Sequence, residues 1–163
     1  MKAVFPGSFD PVTLGHVNLI QRGAKMYDEI IVAVLNNPGK NSLFTFHERV
    51  AMLEAALAGT PNIKVEEYAG LLVDFAKSKG AGCILRGLRS QADCAYELPR
   101  AQGNMLLGGG LETVMLAAEP QYSCINASFV REAALVNGFD IKVLEQWVPP
   151  AVVDMLKSKQ SGD

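Results

Sequence analysis

Apolar residues along this chain come in two alternating textures. Short unbroken runs, such as Ala3-Val4-Phe5 and Ile30-Ile31-Val32-Ala33-Val34-Leu35, give way to stretches where apolar residues recur every three or four positions. The first texture predicts strands covered on both faces, the second amphipathic helices. Val17, Ile20, Ala24 and Tyr27 mark a first helix, and Phe46, Val50, Leu53 and Leu57 mark a second. The second is announced by Thr45 with Glu48 three residues on, a capping-box pattern. Gly59-Thr60-Pro61-Asn62 is a turn before a third strand from Ile63 to Tyr68. Leu71, Leu72, Phe75 and Ala76 belong to the next helix, which ends near Gly80. Cys83-Ile84-Leu85 reads as a short strand running into Arg86, followed by a long helical stretch from Asp93. Glu112 to Ala117 is the fifth strand, Asn126 caps a helix reaching about Val136, and Pro149-Pro150 opens a last amphipathic helix.

This alternation predicts a single-domain α/β fold: a Rossmann-like, five-stranded parallel sheet with helices on both faces. Ligands on such sheets sit at the carboxyl ends of the strands, so the loops leaving strands one, two, four and five are the ones to inspect. There is no internal repeat and no linker, since Gly108-Gly109-Gly110 is too short to divide domains.

The loop after the first strand reads Gly7-Ser8-Phe9-Asp10-Pro11-Val12-Thr13-Leu14-Gly15-His16. Pro11 and the glycines break regular structure. His16 then falls in the first turn of a helix, where unpaired N–H groups and the positive dipole end favour an anion. Gly7, Pro11 or Gly15 singly would suit any α/β turn; the ordered set points to a phosphate chain. After strand four stand Arg86-Gly87-Leu88-Arg89, two guanidiniums three residues apart that can reach one cleft and grip phosphate bidentately. Two solvated surface arginines are the plainer alternative, which their place at a strand's carboxyl end disfavours. Lys40 lies on the same edge, in the loop after strand two. Gly39-Lys40-Asn41-Ser42 is not a Walker loop, because no glycine stands five residues before Gly39 and Asn41 replaces the hydroxyl residue.

Composition narrows the class. Hydrophobic residues make up 49% and charged ones 20%, so a packed core is expected, and a formal charge of −2 gives no general pull toward nucleic acid or acidic membranes. Cys83, Cys94 and Cys124 form no C-x-x-C, and with two histidines they make a poor set of metal ligands; no protein-bound metal is expected. Reduced thiols and the absence of a signal-like start or a long apolar run imply a cytoplasmic protein with no membrane contact.

The order G-S-F-D-P-V-T-L-G-H resembles the nucleotidylyltransferase superfamily, with its [HT]-x-G-H signature. With Lys40, Phe44-Thr45, Glu48-Arg49, the R-G-L-R run, Asp93, Tyr96-Glu97 and Asn104, the chain resembles bacterial phosphopantetheine adenylyltransferases along nearly its whole length. The resemblance implies a nucleotidylyltransferase domain over residues 1–158 and a polar tail over 159–163. It implies transfer of the adenylyl group of ATP to 4′-phosphopantetheine, giving dephospho-coenzyme A and pyrophosphate, with Mg²⁺ carried in on ATP. His16, Lys40 and Arg89 would be catalytic. Ser8, Lys40, Leu72 and Arg86 would hold phosphopantetheine. Ser8, Phe9, His16, Gly87, Leu88, Arg89 and Glu97 would line the ATP site, closed over by Tyr122, Ser123, Cys124, Ile125, Asn126, Ala127 and Ser128. It further implies a homohexamer and feedback by coenzyme A. The chain departs from the family at Ile125-Asn126-Ala127-Ser128, where a serine-rich I-S-S-S or I-S-S-T is usual. Alternatives are a nicotinamide-mononucleotide adenylyltransferase, a cytidylyltransferase, and a non-catalytic nucleotide-binding regulator; a flavodoxin-like carrier would share only the architecture and leave the arginines unexplained.

Overall fold

The computed structural model describes residues 1–35, 42–136 and 138–160. Five strands form one parallel sheet: β1 (Lys2–Gly7), β2 (Glu29–Leu35), β3 (Ile63–Tyr68), β4 (Cys83–Leu88) and β5 (Glu112–Ala117). Their spatial order is β3-β2-β1-β4-β5. β1 therefore lies between β2 and β4, and chain progression reverses direction at the β1–β4 junction, opening a crevice at the carboxyl ends there. Among the described residues six α-helices accompany the strands: α1 (Leu14–Ala24), α2 (Phe46–Leu57), α3 (Leu72–Ser78), α4 (Gln91–Leu107), α5 (Ala127–Ala134) and α6 (Pro150–Gln160). Short 3₁₀ turns cover Pro120–Tyr122 and Ile141–Gln146.

Side-chain alternation explains the layers. Ala3, Phe5, Ile30, Val32, Val34, Cys83 and Leu85 pack on one face with Leu19 and Ile20 of α1, Met52 and Leu53 of α2, Val130 of α5 and Val152 of α6. Val4, Ile31, Ala33 and Ile84 point the other way, onto Val73 and Ala76 of α3 and Leu111. Burial on both faces is what the unbroken apolar runs required. The α/β architecture, five parallel strands and helices on both sides are thus those expected.

Three boundaries differ from the sequence reading. α1 stops at Ala24, and Tyr27 is buried in the link to β2 rather than on the helix. α4 begins at Gln91, two residues before Asp93, because Ser90 caps it by accepting from Asp93 N. α6 continues to Gln160, so Lys159 and Gln160 are helical, and Lys159 pairs with Glu48 of α2 at 3.0 Å. Asn126 is the cap of α5, its side chain accepting from Phe129 N at 2.8 Å, and Thr45 and Glu48 close the capping box of α2. Among the described residues no helix is long and apolar enough to cross a membrane.

Candidate active site

The loop between β1 and α1 is shaped by a close approach. Phe9 has a left-handed backbone (φ 48°), and its ring folds back until a Cβ on Gly7 would lie only 2.8 Å away. A side chain at position 7 would therefore have to displace the buried Phe9 ring. Phe9 is buried, 6.3 Å from Phe5 and edge-on to His16 at 5.3 Å between ring centroids.

Thr13 caps α1 and His16 closes the box from the third helical position. His16 N donates to Thr13 Oγ1 at 3.3 Å, Thr13 N donates to His16 Nδ1 at 3.1 Å, and Thr13 Oγ1 also lies 3.1 Å from Nδ1. Capping boxes usually use Glu or Gln here, so a histidine makes the helix start itself the mount for a reactive side chain. Leu14 N is taken by the Trp147 carbonyl at 2.8 Å. Burial, then the positive fields of Arg89 and Arg86, push the His16 pKa down to about 4. The imidazole is neutral at pH 7, a hydrogen-bond donor rather than a cation.

Both guanidiniums reach the crevice, but neither is free. Arg86 Nε donates to Glu97 Oε2 at 2.8 Å, its Nη2 donates to Glu97 Oε1, and its Nη1 donates to the Pro6 carbonyl. Arg89 Nε and Nη2 bind the Asp93 carboxylate at 3.0 and 3.1 Å, and its Nη1 donates to the Ile125 carbonyl at 2.9 Å. Burial alone would raise the Asp93 carboxyl pKa; hydrogen bonds from the Arg89 side chain and backbone outweigh it and hold the group below the usual range. A guanidinium has five N–H donors. With three engaged among the described residues, each arginine keeps two for an anion while its plane is fixed.

Two cavities meet at this point. The first, about 450 Å³, lies over the loop after β1 and the start of α1. It is lined by Ser8, Phe9, His16, Arg86, Gly87, Arg89, Glu97, Tyr122, Ile125, Asn126, Ala127 and Ser128 among the expected residues. The second, about 610 Å³, runs between α3 and α4 and takes in Leu72, Asn104 and a more apolar wall from Leu35, Leu71 and Leu107. Pro6, Gly7, Ser8, Arg86, Tyr96 and Glu97 border both. Both volumes are in the range that accommodates small ligands. Leu88, Ser123 and Cys124, expected in the nucleotide site, line neither cavity, and Lys40 lies outside the described residues. Ser128 is the second residue of α5 and accepts from Arg131 Nη2 at 3.0 Å.

Three residues to which the sequence assigned no role, Asp10 and Arg49 from the quoted motifs and Arg131 from outside them, carry much of the frame. Asp10 is buried and accepts from Leu43 N at 3.0 Å and Phe44 N at 2.9 Å. Arg131, whose side chain borders the first cavity, donates to the Asp10 carbonyl and lies 3.8 Å from its carboxylate. Arg49 is buried and donates to the Ser8 and Leu35 carbonyls at 2.8 and 3.1 Å, tying the ends of β1 and β2 together. The motifs contain Asp10 and Arg49, but the partners of all three are too far along the chain to be read locally. Among the described residues no group of three or more His, Cys, Asp or Glu could hold a metal ion.

A crevice at a strand-order reversal, with a helix start, a neutral imidazole and two braced guanidiniums facing it, defines an α/β site of a kind suited to phosphorylated ligands. The sequence places it further. The chain belongs to the cytidylyltransferase-like family of nucleotidylyltransferases, whose model matches residues 4–133. Solved structures with the same fold include the Plasmodium falciparum nicotinic acid mononucleotide adenylyltransferase complexed with NaAD. It is 16% identical, with 97% of this chain and 95% of that one covered at a TM-score of 0.71. A putative nicotinate-nucleotide adenylyltransferase from Vibrio parahaemolyticus matches at 14% identity, covering 97% and 91%, with a TM-score of 0.65. A bifunctional NMN adenylyltransferase/ADP ribose pyrophosphatase from Francisella tularensis, complexed with AMP and a Mn ion, matches at 16% identity and a TM-score of 0.67. There 98% of this chain covers 49% of the other. At these identities the likeness speaks for the fold.

Proposed function

We propose that this nucleotidylyltransferase transfers the adenylyl group of ATP to 4′-phosphopantetheine, forming dephospho-coenzyme A and pyrophosphate. The observation that supports this most is the pair of adjoining cavities sharing Ser8 and Arg86. ATP would occupy the first, and the long, partly apolar arm of phosphopantetheine the second, along Leu72 and Leu107, with its phosphate at the junction. The R-G-L-R run and Asp93, Tyr96 and Glu97 are the residues by which the chain resembles that family, and here Arg86 pairs with Glu97 and Arg89 with Asp93 beside the junction.

Chemically, an oxygen of the acceptor phosphate attacks the α-phosphorus of ATP. The bond from that phosphorus to the bridging oxygen breaks, and its electron pair leaves with pyrophosphate. The attacking oxygen is already anionic at neutral pH, so no general base is required. Rate enhancement comes from holding two anions together and stabilising the equatorial oxygens as their charge grows. Arg89 would supply charge, His16 a neutral donor, and Lys40 a second cation on the acceptor. The donor set described above does not fit a resident metal; Mg²⁺ would enter as part of the ATP substrate. A homohexamer in the cytoplasm, subject to feedback by coenzyme A, belongs to the same reading. The apolar side chains exposed on α4, Leu98 and Leu106 among them, support self-association.

The names of the structural neighbours favour a second reading, in which the acceptor is nicotinate or nicotinamide mononucleotide. Pyrophosphate release measured with ATP, Mg²⁺ and each acceptor in turn decides between them, and substitution of CTP tests cytidylyl transfer. Turnover on a mononucleotide and none on phosphopantetheine overturns the proposal. ATP binding with no turnover on any acceptor would instead identify a nucleotide-binding regulator.

A further inference from the structure

The contacts around Nδ1 of His16 have a chemical consequence for its other nitrogen. Thr13 N–H points at Nδ1 at 3.1 Å, and an N–H can only donate. Thr13 Oγ1 accepts from His16 N at 3.3 Å and lies 3.1 Å from the same Nδ1. A hydroxyl that accepts from an amide still has its own proton to give. Nδ1 thus faces two donors, leaving no place there for a ring proton. In a neutral imidazole the proton must then sit on Nε2.

We propose that Thr13 is a positioning residue that locks His16 in the Nε2–H tautomer, so that a neutral N–H rather than a lone pair is offered to the reacting phosphates. The usual N-cap role explains only half of the geometry. Capping requires that Thr13 accept from His16 N, which Ser, Asp or Asn would do equally well. The lock adds a second donor to the backbone amide at Nδ1, supplied by the same side-chain atom that accepts from His16 N, which only a hydroxyl can do. Thr13 is almost fully buried at 1% exposure, so water does not substitute for the missing donor. Phe9 against the ring edge limits rotation that would exchange the two nitrogens.

The test uses full-length protein labelled with ¹⁵N-histidine. The only other histidine, His47, is exposed and serves as an internal reference; a His16→Asn sample assigns the signals. Near neutral pH, wild-type His16 should show a pyridine-type Nδ1 and a protonated Nε2. Thr13→Ser keeps cap and donor and should match the wild type within about twofold in kcat, whereas Thr13→Asn keeps the cap without the hydroxyl and should lower kcat about tenfold or more. In Thr13→Asn, which keeps the amide donor and loses the second, the His16 signals should move measurably away from the pure Nε2–H pattern, with the apparent ATP constant little changed. A proton found on Nδ1 of the wild type, or a Thr13→Asn protein indistinguishable from Thr13→Ser in spectrum and kcat, overturns the lock. The kinetic arm rests on the adenylyl-transfer reading and the spectroscopic arm does not, so a wrong substrate assignment would leave the tautomer result standing. Should Thr13→Asn fold poorly, the wild-type spectrum still decides.

Discussion

Replacing His16 by asparagine should flatten the acid side of the protein's stability curve. The ordinary histidine pKa of 6.5 is lowered to about 4 in the folded state. Between those values the unfolded chain binds a proton that the folded chain refuses, so stability falls as pH falls through this window and is recovered above it. A gap of about 2.5 pH units corresponds to about 3 kcal/mol when fully developed, of which about 2 kcal/mol is lost by about pH 5. His16 is half-buried, and solvent screening trims the observable loss to about 1–2 kcal/mol. Asparagine cannot titrate, and it removes one such group while leaving every carboxylate in place. Urea unfolding of both proteins across about pH 5 to about pH 8 isolates the contribution as the pH dependence of their difference. The variant should be less sensitive to acid, its curve closing on the wild type from below as pH falls. Two curves that run parallel over the whole range would refute the argument, and the His16 ring would then be an ordinary solvated imidazole.

The remaining predictions concern the site's other supports. His16→Ala should lower kcat by about 10²–10³ while changing the apparent ATP constant little, because its donor meets charge that grows in the transition state; an unchanged kcat with a much raised ATP constant in steady-state assays would assign it to ground-state binding. Arg86→Ala should raise the apparent acceptor constant more than that for ATP and, by stranding buried Glu97, lower stability by the lower end of about 3–5 kcal/mol, with Glu97→Gln in the same chain recovering part of the stability in melts. Arg89→Ala should weaken ATP instead, as read in ATP titrations. Asn126→Ala should cost about 0.5–2 kcal/mol in thermal melts and weaken ATP, with Asn126→Ser near silent and Ala127→Ser leaving turnover intact. Gly87→Ala would set a Cβ 2.3 Å from Cδ1 of buried Leu19, and chemical denaturation should show a loss of about 1–3 kcal/mol.

Local patterns carried most of the fold. Ile30 to Leu35 was recognisable as a strand because a strand covered on both faces leaves no polar alternation. Thr45 with Glu48, and Asn126, were recognisable as caps because capping is a contact over three residues. What eluded the sequence is long-range. Asp10 and Arg131 are 121 positions apart, and nothing near either one signals the other. Arg86 and Arg89 were read as open cations, since a lone arginine in sequence looks unpaired; Glu97 and Asp93 lie on the next helix, visible but not assignable as partners without its pitch and direction. The capping box of Thr13 was missed for a chemical reason, since its third position holds a histidine where the pattern expects Glu or Gln.

The amide of Leu14, bonded to the carbonyl of Trp147, bears on which segments the folded unit cannot spare. The family match stops at residue 133, which invites trimming the chain there to obtain a minimal catalytic fragment. Such a fragment would lack Leu144, Val148, Val152 and Leu156, all buried against the α1–α2 face. It would also leave the first amide of α1 without its acceptor, two residues before His16. The segment after Ala134 is thus a buttress behind the helix that carries His16, held by core packing, by the Lys159–Glu48 pair and by the backbone bond to Leu14. Fusion partners and affinity handles placed after Gln160 leave that joint intact, whereas grafts or cuts between Ala134 and Trp147 open it.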